Sequence, residues 1–60
     1  MLTEPTLDKL RALRLGAMGA AWIAQREDPK IHEIDFDSRF AMLVDAEHVA
    51  RDNKRLVRAL

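Results

Sequence analysis

The chemistry open to this chain lies in a run of cations. Arg51, Lys54, Arg55 and Arg58 recur at i, i+3, i+4 and i+7, so on a helix they share one face. Such a face can contact nucleic-acid phosphates, an attraction that is electrostatic and indifferent to base sequence. The same spacing also suits a plain solvated face, balanced by Asp45, Glu47 and Asp52 through helix-spaced ion pairs. Glu47 and Arg51 are one such pair, with the acid first in the more favourable order. No aromatic residue interleaves the cations, so no platform for stacking unpaired bases is expected.

Nothing else in the chain assembles a reactive set. Ser38 is the only serine, and its place near a helix start reads as a cap or a surface hydroxyl. Asp45 and His48 lie one helical turn apart, which reads as a surface hydrogen bond. There is no glycine-rich phosphate loop, no His-Glu-x-x-His pair and no nucleophile with a base at a recognisable spacing. No catalytic or cofactor-binding residue is therefore assigned, and the chain does not read as an enzyme. With no cysteine, and with His32 and His48 standing 16 residues apart, no metal site is expected either.

Ten basic and ten acidic residues give no net charge, which argues against a generally basic, DNA-coating protein. Hydrophobic residues make up 48% and charged residues 33%, a balance that suits an ordered helical domain rather than a disordered chain. No apolar run approaches the ~20 residues of a membrane span. No basic stretch followed by an apolar block marks a signal peptide, so a cytoplasmic setting is expected.

The elements that must position the cations are helical. From residue 35 to residue 60, Met42, Ala46, Val49, Asn53, Leu56 and Leu60 recur at spacings of 4, 3, 4, 3 and 4. That is the repeat of a helix packed lengthwise on another helix. Leu43, Ala50 and Val57 widen the stripe, and Asp35 is placed to cap the helix with Asp37 in its first turn. Phe36, Phe40 and Leu43 are expected to face inward.

An earlier helix is expected over about 4–26, capped by Thr3 and ended ahead of Pro29. Leu7, Leu10, Leu13 or Arg14, Ala17, Ala21 and Ala24 mark one face, with Trp22 as a bulky anchor. Gly16 and Gly19 give it a thin middle that implies close approach by a neighbouring backbone. Asp28 and Pro29 together suggest a short helical turn near 29–34.

The expected fold is thus all-α: an antiparallel hairpin of helices over about 4–26 and 36–60, in one domain spanning 1–60. A hairpin of this size buries too little surface for comfortable stability. Oligomerisation through Met42, Val49, Asn53, Leu56 and Leu60 is expected to complete it. Asn53 is the polar residue that would set register in that seam.

Both halves resemble IstB-like transposition-helper ATPases. Residues 6–18, TLDKLRALRLGAM, resemble the opening of that family, and residues 35–47, DFDSRFAMLVDAE, followed by RDNKRL at 51–56, resemble its second helix. The pattern is a phenylalanine near the helix start, an arginine three on, a leucine-rich turn, an acid and an arginine-asparagine-basic cluster. The resemblance spans nearly the whole chain and implies an all-helical N-terminal domain whose family continues into an AAA+ ATPase module. It also implies ATP binding by the full-length protein, assembly on DNA and partnership with a transposase. No Walker motif is present among these 60 residues, so ATP chemistry is assigned to none of them. The expected role is a non-catalytic interaction and oligomerisation module of such a helper, with itself as partner and DNA contact as a further possibility. The alternative is a free-standing small nucleic-acid-binding or regulatory helical protein.

Overall fold

A computed structural model describes residues 3–59 of the chain, with side chains through Arg55. Helix α1 spans Thr3–Ala12, α2 spans Gly16–Glu27 and α3 spans Phe36–Ala59, with a one-turn 3₁₀ helix at Ile31–Glu33. The described residues are thus all-α. The single helix expected over 4–26 is two helices.

The break has a specific chemistry. Leu15 N–H donates to the Leu10 carbonyl at 2.7 Å and Arg14 N–H to the Arg11 carbonyl at 2.9 Å. This pair of bonds is the Schellman motif, in which the residue after the helix adopts a left-handed conformation. That residue is Arg14, with φ of 63°. Glycine usually fills the position because a Cβ crowds the following carbonyl there. Periodicity alone carried the helix through this point because no glycine stands at position 14.

After the break, α1 folds back along α2. Gly19 is buried, and a Cβ on it would lie 3.3 Å from Leu7 Cδ2 and 3.7 Å from Leu10 Cδ1. What approaches Gly19 is therefore the leucine side chains of α1 and not the neighbouring backbone that the glycine pair implied. Gly16 has nothing within 4 Å of such an atom.

Helix α2 ends where Pro29 requires. Asp28 is extended (φ −84°, ψ 116°), and its Oδ1 accepts Lys30 N–H at 2.9 Å, an Asx turn that leads into the 3₁₀ turn. Ile31 in that turn is the large apolar residue buried among those described. Asp35 then caps α3 as expected: its Oδ2 accepts Ser38 N–H at 3.0 Å and its Oδ1 the Ser38 hydroxyl at 2.8 Å. These bonds, the hydroxyl first, hold the Asp35 carboxyl below its ordinary range. Ser38 is accordingly part of a cap.

Helices α2 and α3 run antiparallel, since Met18 meets Glu47 while Gln25 Nε2 donates to the Arg39 carbonyl at 2.9 Å. The seam on α3 is Arg39, Leu43, Ala46, Glu47 and Ala50, each buried or half-buried. At about 100° per residue, these fall on one arc. Phe36 and Phe40 do not face inward: they are 66% and 50% exposed and stack on each other with centroids 6.0 Å apart. Gln25, in the last turn of α2, reaches Arg39, so Phe36 precedes the span that α2 covers, whereas Phe40 lies within that span but to one side of the seam.

Candidate nucleic-acid interface

The break after α1 brings Arg14 to the same side of the molecule as the cations of α3. Arg14, Glu47, Arg51, Lys54 and Arg55 line one cleft of about 360 Å³. Arg51, Lys54 and Arg55 are exposed, while the Arg58 side chain lies outside the described residues.

Glu47 organises this cleft. It is 8% exposed, an unusual burial for a glutamate unless its charge is satisfied. One oxygen, Oε1, accepts Met18 N–H at 3.1 Å. Met18 is in the first turn of α2, whose flanking residue Leu15 offers no side-chain cap. A helix start leaves its first N–H groups without intrahelical acceptors, so α3 supplies the acceptor that α2 lacks. The other oxygen, Oε2, accepts Arg51 Nε at 3.2 Å, the helix-spaced pair expected from sequence. The Met18 hydrogen bond is the largest cause holding the Glu47 carboxyl below its ordinary range, and the bond from Arg51 and the charges of Arg51 and Lys54 add to it. Arg51 in turn points an amino nitrogen at the Arg14 carbonyl, at 3.4 Å.

Other expected pairings shift or persist. His48 Nδ1 lies 3.6 Å from Asp52, four residues on, and not against Asp45. Trp22 is half-buried with the Arg26 guanidinium 5.7 Å above its ring. Met42, Val49 and Asn53 stand exposed beside the α2–α3 seam, and the side chains of Leu56 and Leu60 lie outside the described residues. Sequence reasoning missed Arg14 and the capping role of Glu47. The Leu10 and Leu15 pair spanning a helix end was the local signal for the first. Nothing local signals the second.

Over 58 residues, 97% of this chain, the sequence is 45% identical to a Pseudomonas fluorescens protein named as an ATP-binding protein of insertion sequence IS1162. The chain resembles part of an insertion-sequence ATP-binding protein. It spans 25% of that relative's length. No protein-family model matches the chain, and no solved structure does. Among the described residues, no helix is long and apolar enough to cross a membrane.

Proposed function

We propose that this chain is a non-catalytic helical module through which a transposition-helper ATPase associates with itself, with the cations of α3 contributing contact to DNA. In the longer protein, DNA and a transposase are the further partners.

The observation that carries self-association is unspent surface. The chain exposes 5172 Å², whereas a compact monomer of 6.9 kDa exposes about 4,000 Å². Its radius of gyration, 12.9 Å, likewise exceeds the about 10 Å of a compact chain this long. The excess is about 1,200 Å², comparable to the area one partner contributes to a stable interface, about 800 Å². Met42 and Val49 remain about half exposed on the stripe that the heptad-like spacing marks out. Two copies meeting along that stripe would remove both side chains from water.

Sedimentation equilibrium of the 60-residue chain tests this directly. A dimer or higher species that dissociates on dilution is the expected result. A well-folded monomer at all concentrations refutes the reading.

A further inference from the structure

We propose that the cleft between the α1–α2 turn and α3 seats a backbone phosphate of duplex nucleic acid, and that Arg14 is the residue that completes it. The proposal deepens the DNA-contact part of the reading above and rests on it.

Charge is the starting point. Four cations, Arg14, Arg51, Lys54 and Arg55, line the cleft beside a single carboxylate, that of Glu47. Both oxygens of that carboxylate are engaged, one by Met18 N–H and one by Arg51 Nε. Glu47 therefore fixes Arg51 in place but neutralises only one of the four charges. A guanidinium offers five N–H donors in a planar fork, so Arg51 keeps donors for an incoming anion after bonding Glu47 and the Arg14 carbonyl. A fork held at one edge by a carboxylate is suited to bind a phosphate oxygen with little further ordering.

The backbone of Arg14 is the second, independent observation. Its φ of 63° is a conformation that glycine adopts freely and that costs a residue with a Cβ. A glycine would hold the same Schellman turn with less strain. Strained positions concentrate at functional sites, and Arg14 lines the cationic cleft. No aromatic residue lines it, so the site lacks a surface for stacking unpaired bases. A duplex backbone, which needs only charge and reach, fits what is present.

Fluorescence anisotropy with a labelled short DNA duplex at low salt reads the outcome on the 60-residue chain. Arg14→Gln should weaken binding several-fold and lower the log-log salt slope by about one. Arg14→Gly should lose the same affinity while melting at a higher temperature, which separates a lost contact from a damaged fold. Unchanged affinity or slope in Arg14→Gln overturns the proposal. If Lys54→Gln with Arg55→Gln abolishes binding while Arg14→Gln leaves it intact, the DNA-contact reading stands and the cleft alone is refuted. No duplex binding by the unmodified chain overturns both. Capture of poly-glutamate in place of the duplex overturns the assignment to nucleic acid.

Discussion

Glu47 Oε1, on the long third helix, accepts the backbone N–H of Met18 in the first turn of α2 at 3.1 Å. The two residues are 29 positions apart, so a helix start left without a local cap is completed by a neighbouring helix. The contact also favours a negative charge at the positive end of the α2 dipole. It ties the fold to the cationic cleft, because the other carboxylate oxygen orients Arg51.

Replacing Glu47 should therefore cost stability and loosen the cleft together. Glu47→Ala is expected to lower the melting temperature by about 5 °C, the scale on which losing a helix cap moves a domain this small. Glu47→Gln retains an acceptor for Met18 and should lose less. Thermal melts followed by circular dichroism make the comparison.

The pH dependence has a definite sign. Glu47 and Asp35 are both held below their ordinary values of 4.5 and 3.8 in the folded chain. A depressed carboxyl contributes stability that is fully present above its unfolded pKa and is lost as pH falls through its folded pKa. Stability should thus be level near neutral pH and decline below about pH 4.5. Glu47→Gln should remove the Glu47 part of that decline and leave the Asp35 part. A stability that rises on acidification contradicts both assignments.

The two glycines of α2 should respond differently to substitution. Gly16 has open space where a Cβ would stand, so Gly16→Ala should stabilise, by at most the about 1 kcal/mol that separates the two residues inside a helix. Gly19→Val places a branched side chain 3.3 Å from Leu7 and should lower the melting temperature by prying α1 from α2. Denaturant titration of both variants tests the contrast; equal effects would show that α1 does not pack on α2 through Gly19.

Val49 and Asn53 probe the association stripe. Val49→Asp, at an exposed position of α3, should leave helicity intact and shift the chain to monomer. Asn53→Leu should raise thermal stability while broadening the oligomer distribution, since a buried polar residue fixes register at a cost in stability. Sedimentation velocity across a concentration series distinguishes these outcomes from two unchanged profiles.

Nucleotide should not bind this chain. Calorimetric titration with Mg-ATP is expected to give no saturable heat, because these 60 residues contain no phosphate-cradling glycine loop. A micromolar site would overturn that expectation.

Local chemistry made much of this molecule legible in advance. Pro29 dictated where α2 stops, Asp35 with Ser38 dictated where α3 starts, and the spacing from Met42 onward dictated its length. Each depends on residues a few positions apart, which interact whatever the rest of the chain does. The Glu47 and Arg51 pair was legible for the same reason. Tertiary structure decided the rest. Arg14 ends α1 through a turn that glycine usually marks, so periodicity ran through it unbroken. Phe36 and Phe40 look like core residues by type, yet Phe36 precedes the span of α3 that meets α2 and Phe40 stands to one side of the seam. The capping of α2 by Glu47, and the meeting of Arg14 with Arg51, Lys54 and Arg55, join residues about 30 to 40 positions apart. Spacing along one helix carries no information about such contacts, since they exist only once the break at Arg14 and the antiparallel seam have set α2 against α3.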